Sequence, residues 1–227
     1  MAVNINFTSL YVLFLFVSKL NISPPIKTGC YVIKCTMIDS QKRMDRLPDD
    51  SLFIADQSVL EKVGNLKIVT IENAQKRTID NYAYFFINLK TRQFAALTSL
   101  KNSQSLHLSS LKHKTIGYTF ITDSIFYNNE KKYTKSIVSL GGQKVRKYTF
   151  ISTSKYYKGK HISLYISDQM DRDRPILINP EIEQKFGGNL LKIEMDFEDQ
   201  GKCIIEFVYK NRISRQVLSN INNIHFQ

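Results

Sequence analysis

The chain predicts a mainly β fold, with α+β as the neighbouring class: an antiparallel meander sheet or open barrel carrying one or two short helices. Three observations lead there. The aromatic residues are 12 Tyr and 14 Phe without Trp, set among short clusters of Ile and Val, the residue types that fit a pleated, half-buried surface. Strict alternation recurs near the C-terminus: Leu191, Ile193, Met195 and Phe197 fall on one face and Lys192, Glu194 and Asp196 on the other. Short turn signals separate such runs, and consecutive strands joined by short turns form an antiparallel meander. With 227 residues, 43% hydrophobic and 23% charged, and only 5 Pro and 9 Gly, the chain can bury a core and is neither disordered nor collagen-like.

The first segment is read as a leader. Residues 10–17, from Leu10 to Val17, are unbroken apolar residues followed by Ser18 and Lys19. That is short of the roughly 20 residues needed to cross about 30 Å of hydrocarbon, and it matches the apolar core of an export signal. The residues before it hold no Lys or Arg, and no small-x-small cleavage site follows. Pro24-Pro25 stops helix and strand alike. Residues 1–35 are therefore assigned to a signal or anchor leader and 36–227 to a single β-rich domain. A buried strand over 10–17, and a start of translation at Met37 or Met44, are the alternative readings of this end.

After a turn at Leu47-Pro48-Asp49-Asp50, strands are expected over 66–72 and 82–89. Residues 97–113 read as a loop or weak helix, because Leu97, Leu100, Leu108 and Leu111 are striped helically while Ser99, Ser103, Ser105, Ser109 and Ser110 weaken helix propensity. Further strands fall at 116–121, at 136–140 before Gly141-Gly142, at 147–152 and at 161–166, with 154–160 closing the last two into a hairpin. One helix is well signalled: Asn179 as N-cap, Pro180 at its first position, Glu181 and Glu183 at the positive dipole end, and Gly187 or Gly188 as stop. Strands over 191–197 and 203–209 follow, joined by Asp199-Gln200-Gly201, and Lys210-Asn211-Arg212 turns the chain toward Val217-Leu218.

The net charge is +12, so anionic partners fit the chain as a whole. The excess sits in the middle. Lys90, Arg92, Lys101, Lys112 and Lys114 meet no acid between Asn81 and Thr122, whereas residues 168–206 are acid-rich. From Tyr127 to Tyr157 the tyrosines Tyr127, Tyr133, Tyr148, Tyr156 and Tyr157 alternate with Lys131, Lys132, Lys135, Lys144, Arg146, Lys147 and Lys155, and Lys158 follows. Basic groups hold phosphates and aromatic faces stack bases, so this stretch is the candidate surface for an anionic ligand, including single-stranded nucleic acid. Solvated strand faces and ordinary tyrosine packing account for the same residues.

Cys30, Cys35 and Cys203 form no disulfide framework, and an odd count leaves at least one thiol unpaired. Cys203, inside an apolar run, reads as a small core residue. No second Cys/His pair follows Cys30 and Cys35 at zinc spacing. Asp168, Asp171 and Asp173 are close enough for a hard cation, but Arg172 and Arg174 neutralise them and no EF-hand Gly or Glu is present, so a charged turn is expected. His107, His113, His161 and His225 stand in no nucleophile motif, and no phosphate-cradling loop is present. No catalytic, cofactor or metal residue is assigned.

Leu140-Gly141-Gly142-Gln143-Lys144-Val145-Arg146-Lys147-Tyr148, the strand ending Ser163-Leu164-Tyr165-Ile166-Ser167-Asp168, and Phe186-Gly187-Gly188-Asn189-Leu190-Leu191-Lys192-Ile193-Glu194 together resemble the GLPGLI family of exported Bacteroidota proteins. The resemblance covers residues 137–209, with Val145 where that family has a cysteine and Gly188-Asn189 in place of its proline turn. It implies an envelope protein, often associated with surface transport systems, and no catalytic residues. The expectation is thus a non-enzymatic β-sheet protein of the periplasm, the outer membrane or the secreted fraction that binds or supports another envelope component, an envelope protein or an anionic polymer. The alternative is a cytoplasmic basic β-domain that binds single-stranded nucleic acid.

Overall fold

The computed structural model describes residues 27–64, 68–72, 75–79, 82–97, 108–114, 117–118, 132–154, 157–168, 170 and 174–224. Twelve antiparallel strands form one open sheet. The strands are β1 (Thr28–Ile38), β2 (Met44–Arg46), β3 (Asp50–Ala55), β4 (Ser58–Gly64), β7 (Tyr82–Asn88), β8 (Gln93–Leu97), β9 (Ser109–Ser110), β10 (Thr134–Leu140), β11 (Gln143–Ile151), β12 (His161–Ser167), β13 (Leu190–Asp196) and β14 (Lys202–Lys210). Between β4 and β7 in the chain, β5 (Ile68–Glu72) and β6 (Gln75–Ile79) pair as a separate hairpin. Two short helices, α1 (Pro180–Phe186) and α2 (Arg215–Asn222), complete the described elements. The mainly β class and the open antiparallel sheet agree with the sequence reading.

The order across the sheet is β10-β11-β12-β13-β14-β1-β3-β4-β7-β8-β9, with β2 set against the end of β1. It is two meanders joined through one long-range pair. β10 to β14 follow one another as neighbours, β3 to β9 form the other arm, and β1 lies between β14 and β3. Cys30 to Ile38 pair with Lys210 back to Lys202 without a break in register. The arm β10–β11 turns at Gly141-Gly142, both with positive φ (57° and 81°), the backbone that a tight two-residue hairpin requires and that Gly adopts without strain.

Side chains alternate across this sheet, and each face has its own covering. The inner face carries the main core: Tyr148 and Phe150 of β11, Ile162, Leu164 and Ile166 of β12, Ile193 of β13, Phe207 of β14, Tyr31 of β1, and Leu52, Val59, Phe85 and Ile87 in the other arm. Helix α1 packs into it through Ile182 and Phe186. The helix stands where its sequence signals put it. Asn179 accepts from Ile182 N at 3.1 Å, Pro180 opens the helix, and Gly187 ends it with φ 64°.

The outer face is covered only in part. Helix α2 places Val217, Leu218 and Ile221 over Ala55, Leu60 and Phe86, with Ser214 as N-cap to Val217 N. Beside this patch runs a polar row across the same face: Lys147, Tyr165, Lys192, Glu206 and Lys34 stand side by side on β11, β12, β13, β14 and β1.

Several expectations are corrected. Residues 28–35, placed in the leader by the sequence reading, form most of β1 in the middle of the sheet, where Tyr31 is fully buried and Ile33 nearly so. Residues 44–46, expected in a turn, pair with β1. The sequence reading passed over β3 and β4, whose turn is Asp56-Gln57, and over α2, whose apolar stripe faces the outer sheet surface. Residues 93–97 extend the sheet as β8, and 111–113 form a single 3-10 turn. Most of the strand expected at 116–121, and all of the apolar run at 10–17, lie outside the described residues.

A chain starting at Met37 lacks nearly all of β1, so β14 and β3 lose their shared partner and Tyr31 leaves the core. Such a chain is expected to show no cooperative urea transition by circular dichroism. A folded Met37 chain with native-like stability would overturn the central place given to β1.

Candidate functional site

Irregular segments line the inner face beside α1, and a segment outside a ladder must find other partners for its backbone. Two buried carboxylates supply them. Glu61 on β4 is 0% exposed, and one of its oxygens, Oε2, lies 2.7 Å from Lys114 Nζ, itself buried. Lys114 also donates to Tyr118 O at 2.9 Å and lies 4.9 Å over the ring of Phe85, while Glu61 Oε1 accepts from Tyr118 N. The Tyr118 hydroxyl then donates to Ile178 O. Lys114 and Tyr118 are thereby held to β4, and Tyr118 also to residues 174–179, the strap that enters α1.

The strap has its own anchor in Glu183 of α1, also fully buried. Its carboxylate accepts from Asn179 N at 3.1 Å and from Leu190 N at 2.9 Å, which ties the start of the helix to the start of β13. Arg174 lies 3.9 Å from Glu183 and packs its guanidinium over the rings of Tyr31 and Tyr209, 5.4 and 5.0 Å from their centres. Tyr31 in turn donates from its hydroxyl to Ile176 O at 2.9 Å.

Burial pushes the carboxyls of Glu61 and Glu183 above their usual range. Lys114 and the Tyr118 N–H oppose the rise at Glu61, and the N–H groups of Leu190 and Asn179 with Arg174 oppose it at Glu183. Asp50, on β3 near Lys114, is also raised by burial, and it accepts from Gly64 N at 2.8 Å. The hydroxyls of Tyr31 and Tyr118 lie above the ordinary tyrosine value for the same reason.

Between these two anchors lies a cavity of about 340 Å³. Leu89, Leu111, Tyr118, Ile176 and Ile178 make its wall largely apolar. Its polar groups are few: Arg92 in the β7–β8 turn, Asn179 at the head of α1, and Gln184 one turn along it. The volume falls in the range of small-molecule sites, and a mostly apolar wall with a few fixed polar groups is their usual make-up. The cavity can take a short apolar chain or ring, with Arg92 placed to meet an anionic end.

Among the described basic residues singled out in the sequence, Arg146 and Lys147 fall on opposite faces of β11. Lys131 and Tyr156 lie outside the described residues. Lys132, Lys144 and Lys158 are exposed. Lys135 is opposite Tyr148 and 6.0 Å over its ring, on the inner-face side of the β10 edge. Arg146 shares that side but is committed to backbone oxygens: it donates to Phe186 O and Ser167 O at 2.7 Å each and to Gly187 O at 3.0 Å, closing the C-terminal end of α1. Lys147 points to the other face, 5.3 Å over Tyr165, whose ring Lys192 also flanks at 5.0 Å. Tyr157 packs against Phe197. Asp168 lies 3.6 Å from Arg146, and Asp171 and Asp173 are outside the described residues.

Of the polar wall groups, the sequence reading named Arg92, as one of the acid-free bases, and Asn179, as a helix cap, but not Gln184. The signal for the rest was the buried-carboxylate chemistry of Glu61, and an acid at an inward position of an apolar strand is that signal.

No helix among the described residues is long and apolar enough to cross a membrane. No protein-family model matches the chain, and no curated protein matches it. Two solved structures are similar in backbone. PNGF-II is 13% identical, over 88% of this chain and 31% of that one, at a TM-score of 0.37. A LolA superfamily protein from Nitrosomonas europaea is 12% identical, over 86% of this chain and 90% of that one, at a TM-score of 0.31. The chain spans about a third of the length of PNGF-II.

Because burial raises Asp50 above the ordinary 3.8, its folded form keeps a proton that the unfolded chain gives up. Its contribution to stability is present below that ordinary value and is lost as pH rises through the raised one. Asp50→Asn keeps the acceptor for Gly64 N and removes the titration, so its urea midpoint relative to the wild type is expected to rise as pH is taken from 3.5 toward 7. A difference that is flat or falls with pH would contradict this burial cost.

Proposed function

We propose that the chain is an exported, envelope-associated binding protein without catalytic activity, and that its inner-face cavity receives an apolar or amphipathic portion of another envelope component. The observation that carries this reading is the cavity, largely apolar within and with Arg92 among its few polar groups. Its walls are set by the buried Glu61–Lys114 and Glu183–Arg174 contacts, so the site is formed before a ligand arrives, and a preformed site loses less to ordering on binding. The resemblance to the GLPGLI family supports the same placement.

Dodecanoate is a suitable probe, having an apolar chain and one anionic end. Calorimetric titration is expected to give saturable one-to-one binding. Arg92→Glu should weaken it by about tenfold, on the order of 1.4 kcal/mol for one lost charge contact, while Gln184→Trp, which fills the cavity mouth, should abolish it. Absence of saturable binding to the folded wild type would sink the cavity as a ligand site.

The export half of the reading has its own test in a Gram-negative host. Intact mass of the full-length protein and its cell fraction should show loss of a leader, with the new N-terminus at or before Thr28 and the product outside the cytoplasm. An unprocessed cytoplasmic chain would overturn it.

A further inference from the structure

Two of the three thiols meet in the middle of the sheet. Cys35 of β1 is in register with Ile205 of β14, and Met37 of β1 with Cys203, so the two cysteines are diagonal neighbours across adjacent strands. Both point to the inner face, and their Sγ atoms are 3.8 Å apart as free thiols. A disulfide needs about 2.0 Å between the sulfurs, so bond formation draws the two strands slightly closer at this point, where backbone bonds already hold them side by side. Cys30 takes no part. It is an odd number of residues from Cys35 on the same strand, therefore on the opposite face, where it is buried and its thiol donates to Tyr31 O.

The two thiols are also unlike each other. Cys35 is the more exposed, and its contact with Cys203 lowers its thiol, while Cys203 is raised by the same contact and by burial. The more open thiol of such a pair is placed to attack first in thiol–disulfide exchange, and its buried neighbour to resolve the mixed disulfide.

We propose that Cys35 and Cys203 are a reversible dithiol–disulfide pair that joins β1 covalently to β14 when the chain meets a small-molecule disulfide such as oxidised glutathione. The Cys35 thiolate attacks one sulfur of that disulfide, and the first small thiol departs with a proton. The Cys203 thiol then gives up its proton and attacks Cys35 Sγ. The Sγ–Sγ bond forms, the mixed disulfide breaks, and the second small thiol leaves with the proton from Cys203. Two electrons pass from the protein thiols to the small disulfide, which is reduced to two thiols.

The test uses the purified full chain, reduced and then incubated with oxidised glutathione at neutral pH before acid quenching. Alkylation after unfolding is expected to find one thiol of the original three, at Cys30, and intact mass should fall by two hydrogens with no glutathione retained. Peptide mapping of the wild type should join the Cys35 and Cys203 peptides, a readout that does not depend on any variant folding. Cys30→Ser should still form the bond, Cys35→Ser and Cys203→Ser should not, and dithiothreitol should restore the reduced mass. The bond ties residues 168 positions apart, so the oxidised chain should melt at a higher temperature than the reduced one. A stable glutathione adduct on Cys35, a link through Cys30, a link between two chains, or three persisting thiols in the folded protein would each overturn the proposal. None of these outcomes bears on ligand binding in the cavity, so the two readings fail separately.

Discussion

Glu183 is the constraint on which the inner layer depends. A carboxylate removed from water loses far more than an amide or hydroxyl would, unless charge and hydrogen-bond donors replace the hydration. Here Asn179 N, Leu190 N and the Arg174 guanidinium do so, and each donor belongs to a different piece: the helix cap, the first residue of β13 and the strap before α1. Remove the carboxylate and the three pieces have no common partner. Arg174 then carries the constraint outward, because its position over Tyr31 and Tyr209 fixes the strap against β1 and β14. The Glu61–Lys114 pair repeats the arrangement on the other arm, so both walls of the cavity rest on charge buried in an apolar layer. An apolar contact of equal size would be cheaper to bury, but it would not dictate which backbone groups it touches.

The two faces of the sheet divide their chemistry. On the outer face, charge is spent locally: Tyr165 donates to Glu194 at 2.7 Å, Lys192 pairs with Glu194 at 2.6 Å, and Lys147 and Lys192 both lie over the Tyr165 ring. On the inner face it is spent on architecture. Lys114, Arg146 and Lys147, bases from the middle of the sequence, are therefore engaged within the fold, and Arg146, bonded to the backbone oxygens of Phe186, Ser167 and Gly187, is the clearest instance.

What could be read in advance followed from local rules. The alternation of 191–197 and 203–209, the glycine pair after Leu140 and the Asn179-Pro180 helix start all act over a few residues, and each appears in the fold with its expected partner face. What was missed depends on distant residues. β1 follows an apolar segment that resembles a leader, and only its nine-residue register with β14 separates the two. α2 has a short stripe that means little without the apolar patch of Ala55, Leu60 and Phe86 to receive it. Lys114 read as a base with no acid near it in sequence and Arg174 as neutralising Asp168, Asp171 and Asp173, because their partners, Glu61 and Glu183, stand far off in sequence or on another element. The basic surface was drawn as one patch along the chain, whereas alternation on β11 sends Arg146 and Lys147 to opposite sides.

The union of β1 with β14 also governs when the molecule can exist at all. A strand near the start of the chain waits for one near its end, so neither arm of the sheet is closed at its inner edge until residue 210 has been made. Chains dominated by such distant pairings fold slowly, since loop-closure entropy is lost before contacts repay it. Until β14 follows, the first arm presents the outer side of β1 as an unpaired edge. The order of strands along the sequence thus makes the joining of the two arms at β1 and β14 the last pairing of the described sheet.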